Sequence, residues 1–260
     1  MTGANHQDLI LDQFTRQATV FSTSPAITDE DALRMIVEAA RPSPNDSVLD
    51  VACGGGIVVC AFAPHVRQAT GIDITPAMLE RARILAAEKG ISNVVLRQGD
   101  VNALPYDDGS FTIVVTRFAF HHFLDPAAVL REMVRVCAPE GRIVVVDTCA
   151  SEHPEKAAEF NRLEKLRDPS HARNLTLTEL KALFATVGLP EPQATFYELR
   201  GEVRNLLARS FPNQGDDAKI IEMFRASAAD DRLGIPVRIE ANTIHYAYPV
   251  TILAAQRPAQ

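Results

Sequence analysis

Three glycines, Gly54, Gly55 and Gly56, separate the apolar run 48–52 from a second apolar run over 57–63, with Asp50 inside the first. Glycine reaches positive φ and lets a ligand approach the main chain itself. Asp73, in "GIDITPAML", follows Gly54 by nineteen residues, and Asp100 ends "RQGD". A carboxylate at the tip of the second strand can accept from both hydroxyls of a ribose. Asp100 is placed to accept from an adenine amino group. The stretch "TRFAFHHF" brings Arg117 and Phe118 and then His121 and His122. An imidazole there can take a proton near neutral pH, with His122 the preferred base and His121 the lesser candidate. His171 and Arg173, in "RDPSHARN", form a second set suited to an anionic or carbonyl group of a substrate. Phe14, Gln17 and Phe21 are spaced to close over a ligand from the N-terminal segment or to pack as an amphipathic helix, and His245, Tyr246 and Tyr248 alternate on a late strand, with one face placed to reach a substrate and tyrosine also explained as a strand former.

The elements that must position these residues alternate. Strand patterns at 47–52, 66–73, 93–98, 111–118 and 141–148 are separated by helical ones, save the loop "NALPYDDGS" before the fourth, which predicts an α/β fold with a mostly parallel sheet. Thr28 with Asp31 reads as a helix start, as does Thr75–Pro76, with Gly90 just past that helix's end; Asp125–Pro126 starts another. Thr176 and Glu179 form a T-x-x-E capping box for a helix that Gly188 ends. Late strands are expected at 192–199 and 243–256. The division expected is a cap segment over 1–27, a core over 28–200 with a lid at 151–175, a helical cap insertion over 201–240, and a final strand and tail over 241–260. Within the insertion, Leu206, Leu207 and Phe211, then Ile220, Ile221 and Phe224, share helical faces.

A dinucleotide loop reads G-x-G-x-x-G, but Val59 stands where its third glycine belongs, which weakens a pyrophosphate reader. Taken together, "VLDVACGGG", "GIDITPAML", "RQGDV" and "FTIVVTRFAFHHFLDP" resemble the class I S-adenosylmethionine-dependent methyltransferases, in the ubiquinone/menaquinone-biosynthesis-type small-molecule branch. The resemblance is strong over about residues 40–150. It implies a Rossmann-like seven-stranded sheet whose last strand is antiparallel, and S-adenosyl-L-methionine as cofactor. By matching position, it implies that the loop from Ala52 through Gly54 to Gly56 faces the amino-acid half of the cofactor, with Asp50 before it. Asp73 holds the ribose, Ile74 and Met78 lie beside the adenine, Asp100 and Val101 read its edge, and Arg117 and Phe118 lie near the methionine part. Gly55 departs from the Thr or Pro that the family often carries. The expected reaction is in-line transfer of a methyl group to an O, N or C nucleophile of a small-molecule acceptor. Alternatives from other classes are a cyclase or binding module on the same fold, and an NAD-dependent oxidoreductase.

Composition narrows the partners. The chain has 260 residues, 47% of them hydrophobic, with 26 basic against 33 acidic residues and a net charge of −7. A nucleic-acid partner is not expected, because such surfaces need clustered positive charge. No apolar run is long enough for a membrane span and no secretory pattern is read at the start, so a cytoplasmic protein is expected. Cys53, Cys60, Cys137 and Cys149 form no C-x-x-C pair, and neither a metal site nor a disulfide is expected. The oligomeric state is left open.

Overall fold

Alternating strands and capped helices fold as that pattern requires. The computed structural model describes residues 5–259 without the side chains of residues 21 and 22, so the expectation for Phe21 lies outside what is described. In chain order the elements are α1 (His6–Ser22), α2 (Glu30–Ala40), β1 (Ser47–Val51), α3 (Ile57–Phe62), β2 (Gln68–Asp73), α4 (Pro76–Glu88), β3 (Val94–Gln98), β4 (Phe111–Arg117), α5 (Pro126–Val136) and β5 (Cys137–Thr148). There follow α6 (Pro154–Arg167), α7 (Leu177–Thr186), β6 (Gln193–Glu202), α8 (Val203–Ala208), α9 (Asp216–Asp230), β7 (Val237–Glu240) and β8 (Thr243–Gln256).

The sheet runs β3-β2-β1-β4-β5-β8-β6. β8 is antiparallel to both β5 and β6, while β1 to β5 are parallel. The order reverses between β1 and β4, and in an open α/β sheet such a reversal leaves a crevice at the carboxyl ends of those strands. The seven expected strands are present with the last reversed, and an eighth, β7, pairs with β8. This is a correction to the all-helical reading of 201–240. Ala241 and Asn242 both take positive φ, 46° and 69°, in a two-residue hairpin turn. Such turns are usually announced by Asn-Gly, and here alanine hides the signal.

Strand side chains alternate between two buried faces. Val48, Ile113, Val115, Val144 and Val146 pack on one side with α2, α3 and the later helices. Leu49, Val51, Val114, Ile143 and Val145 pack on the other with α5 and α7. Burial on both sides explains why these strands read as continuous apolar runs. The capping box of Thr176 and Glu179 forms in both directions. The cap of α2 differs from expectation: the Asp29 carboxylate accepts from Ala32 N at 2.8 Å, while the Thr28 hydroxyl donates to Ser24 O. A carboxylate beside the positive helix end gains from the dipole as well as the hydrogen bond.

Candidate active site

β1 ends in a left-handed residue, Ala52 (φ 57°), and Gly54 (φ 51°) and Gly56 (φ 78°) follow in the same region. Two acids from the strands hold this turn. The Asp50 carboxylate accepts from Val59 N at 3.0 Å, at the start of α3. Asp73 accepts from Gly54 N through Oδ2 and from Thr75 N through Oδ1, each at 2.8 Å. Burial pushes the Asp50 carboxyl well above its ordinary range, and it raises Asp73 as well, against the backbone hydrogen bonds that oppose it. A carboxylate oxygen can accept more than one hydrogen bond, so Asp73 keeps acceptor capacity on both oxygens.

These residues line a cavity of about 360 Å³ at the carboxyl end of the sheet. Its walls include Asp50, Ala52, Gly54, Asp73, Ile74 and Met78 from the first half of the crevice, and Asp100, Val101, Arg117 and Phe118 beyond it. Phe14 closes it from α1 and His122 from the turn after β4. A Cβ on Gly54 would meet only the Met78 sulfur at 4.0 Å, so this side of the turn is open to a ligand. Gly56 is not a wall of the cavity. A Cβ there would lie 2.6 Å from the Ala82 Cβ, so its role is close packing of the turn on α4. The Asp100 Oδ1 accepts from both the backbone and side-chain N–H of Asn102, so Oδ2 keeps acceptor capacity for a ligand. Arg117 donates to Ile27 O at 2.8 Å and lies 4.5 Å over the Phe118 ring, which ties the segment before α2 to the crevice. Phe118 is itself left-handed (φ 56°). Non-glycine residues held there store strain, which concentrates at functional sites.

The next turn, Phe120–His122, splits its two histidines between different tasks. His121 Nδ1 lies 2.6 Å from Asp147 Oδ1, and His121 N donates to Asp147 Oδ2. That contact places the proton on Nδ1 and leaves Nε2 as the lone-pair nitrogen. Burial alone would lower the His121 pKa, but the charge and hydrogen bond of Asp147 outweigh it and hold it above 6.5. His122 instead lies with Nδ1 3.1 Å from Ser170 O and its ring edge-on to Phe14. Burial, together with neighbouring His121, pushes it down to about 4, so it is neutral and a weak base. A second cavity, of about 60 Å³, lies behind Phe14, Phe118 and His122, which it shares with the first. His121, Glu164, Arg167, Asp168 and Tyr248 line it. There the Tyr248 hydroxyl donates to Glu164 at 2.7 Å, and Arg167 pairs with the same carboxylate at 2.6 Å.

The remaining expected residues lie elsewhere. Gln17 reaches the second cavity rather than the first and donates to Asp168 Oδ2. His171 is fully buried, with Nε2 3.0 Å from Asn161 Oδ1, and lines neither of these two cavities. Burial, then the neighbouring imidazoles, hold its pKa far below the ordinary value. Arg173 is exposed and pairs with Glu179 at 2.8 Å. We expect Arg173→Ala to keep full turnover and to change stability by less than about 0.5–1 kcal/mol, as exposed pairs do. His171→Ala is expected to cost about 1–3 kcal/mol through a lost buried hydrogen bond and a cavity. Thermal melts and turnover on both variants check this: a loss of turnover in Arg173→Ala at unchanged stability would return it to the site. Sequence reasoning missed Asp147, whose only signal was an acid at the end of "VVVDT" on the neighbouring strand, and the Glu164–Arg167 pair that the expected Tyr248 joins.

A family model described as "Methyltransferase domain" matches residues 42–208. The chain belongs to this methyltransferase family. A curated relative, the uncharacterized methyltransferase YcgJ of Bacillus subtilis, is 37% identical over 66% of this chain and 68% of its own length. The crystal structure of YcgJ superposes with a TM-score of 0.81 over 88% of this chain and 98% of that one, at 30% identity. The demethylmenaquinone methyltransferase of Deinococcus radiodurans is 42% identical over 42% of this chain, which spans less than half, 46%, of that relative. The fold is also that of the Streptomyces coelicolor geranyl diphosphate C-methyltransferase, solved with S-adenosyl-L-homocysteine (TM-score 0.62, 18% identity, 88% of this chain and 79% of that one). The methyltransferase is S-adenosylmethionine-dependent. Its residues fit that cofactor: Asp73 has spare acceptors for ribose hydroxyls, and the open side of Gly54 admits a ligand where a side chain would stand. Among the described residues of the methyltransferase, no helix is long and apolar enough to cross a membrane.

Proposed function

We propose that this methyltransferase acts on a compact, protic small-molecule acceptor whose reacting end enters the second cavity, and that His121, held by Asp147, takes its proton. The observation that carries the reading is the 2.6 Å His121–Asp147 contact on a cavity that shares Phe14, Phe118 and His122 with the first. In this reading the larger cavity receives the cofactor, with Asp73 at the ribose, Asp100 at the adenine, and Ala52 and Gly54 at the amino-acid half. S-adenosylmethionine, when bound, supplies an electrophilic methyl group on a sulfonium. The chain's own residues then align the acceptor, exclude water and accept one proton. Alignment can be worth about 7–11 kcal/mol in ideal cases, and a positioned base roughly 10²–10⁴-fold.

Relatives named for small-molecule acceptors, such as the demethylmenaquinone enzyme, support the acceptor class. The net charge of −7 argues against a nucleic acid. The family match ends at 208, before Tyr248. Of the elements around the second cavity, α6 and α8 lie inside that match and α1 and β8 outside it, so the choice of acceptor particular to this chain rests on Tyr248 of β8 and on α1 as the lid that excludes water. The polar group of Glu164, Arg167 and Tyr248 favours a hydrogen-bonding acceptor over a long apolar tail. The test is incubation with S-adenosylmethionine and a metabolite extract, read by mass spectrometry. A phenol, enol or amine should gain one methyl while S-adenosylhomocysteine accumulates. Methylation only of compounds without an exchangeable proton would overturn the role given to His121.

A further inference from the structure

The outer edge of β6 is a surface that methyl transfer does not use. Among the described residues β6 ends the sheet and pairs with β8 on one side only, through ten residues. A long edge is a template for another strand, and proteins guard such edges with lysine, proline or bulges. The sequence of β6, QATFYELRGE, carries neither lysine nor proline, and its charged residues, Glu198, Arg200 and Glu202, are of both signs, which deter a random strand but not one of matching charge. Phe196 is 58% exposed on it, and the Glu198 and Arg200 side chains are 43% and 77% exposed. Shallow grooves flank the strand, one of about 470 Å³ beside Ala32, Met35 and Leu199, the other of about 610 Å³ beside Pro236, Arg238 and Tyr246. An added strand has room for its side chains in both.

We propose that β6 pairs antiparallel with β6 of a second copy of this chain, about a two-fold axis at Leu199, joining two sheets into one. Charge complementarity selects this occupant. A two-fold axis at Leu199 sets Glu198 opposite Arg200 of the second copy and Arg200 opposite its Glu198. Tyr197 then lies opposite Gly201, the smallest residue of the strand. Opposite charges directly across an antiparallel pair stabilise it, and like charges destabilise it. A two-fold interface must be self-complementary in this way, which an unrelated extended peptide has no reason to match.

Sedimentation velocity on the full chain tests the pairing. The unaltered protein should form a reversible dimer in the micromolar range. Glu198→Arg and Arg200→Glu should each weaken it by about tenfold or more, since each places like charges opposite one another twice. An equimolar mixture of the two variants should restore the dimer, because every cross-strand pair again joins opposite charges. Loss of the Glu198–Arg200 pair within one chain moves none of these masses, and thermal melts confirm that both variants fold. Phe196→Glu, which sets a carboxylate opposite Glu202 of the second copy twice, should also yield monomer. A protein monomeric at every concentration, a dimer that both charge variants keep, or a mixture that stays monomeric would each overturn the proposal.

Discussion

Asp73→Ala is expected to weaken S-adenosylhomocysteine binding by about 5- to 150-fold. The change removes the acceptor proposed for the ribose and also leaves Gly54 N and Thr75 N without their partner. Ribose hydroxyls left without an acceptor cost about 1–3 kcal/mol in the complex, and each ~1.4 kcal/mol is tenfold in affinity; the orphaned backbone donors lower the stability of the free and bound protein alike. Asp73→Asn should do almost as badly, since one carboxylate oxygen becomes an N–H donor aimed at another donor. Burial raises the Asp73 pKa above 3.8, so acidification should weaken binding at a higher pH than for an ordinary aspartate. Calorimetry across pH checks both statements. Unchanged affinity in Asp73→Ala would show that the ribose is held by other groups.

His121→Gln and Asp147→Asn should each lower turnover by about 10²–10⁴-fold with cofactor affinity nearly unchanged. The neutral imidazole is the base, and His121 titrates above 6.5, so turnover should rise with pH through that raised value and then level. Asp147→Asn removes the charge that raises it and leaves burial, which lowers it, so the acid limb should move to lower pH while the plateau falls. Stability follows the opposite sense. A histidine raised in the folded state adds stability that is fully present below its ordinary 6.5 and is lost as pH rises through the folded value. His122→Gln, by contrast, should alter cofactor or acceptor affinity more than the pH profile, since that ring is already neutral. A pH profile unmoved in Asp147→Asn would remove His121 as the base.

The parts of the site that were legible in the sequence are those written in the first two strand–turn–helix units, around glycines and an acid at a strand tip. Gly54 with Asp50 and Asp73 could be read because each acid closes its hydrogen bond onto the adjoining turn. The division of labour between His121 and His122 could not be read, because the partner that decides it, Asp147, lies 26 residues away on the next strand. His171 and Arg173 were misleading for a related reason. Their loop lies against the site through main-chain bonds, Ala172 N and Arg173 N to His121 O, while their side chains turn to Asn161 and Glu179. The fold was legible wherever both faces of a strand are apolar, and β7 was missed because half-exposed Val237–Glu240 carries no such run.

The placement of β8 governs how the polypeptide must assemble as it is synthesised. β1 to β5 can join the growing sheet in turn, each beside a parallel strand already made, through crossover helices and, between β3 and β4, through the loop 99–110. β6 cannot, because its single neighbour is made only after α8, α9 and β7. Until the stretch from Val250 to Gln256 leaves the ribosome, the edge of β5 that receives it stays unpaired and β6 has nothing to pair with. Non-local pairing of this kind is slow, and unpaired strands invite aggregation. The interval between the emergence of β5 and that of β8 is therefore when the nascent chain most needs shielding by chaperones.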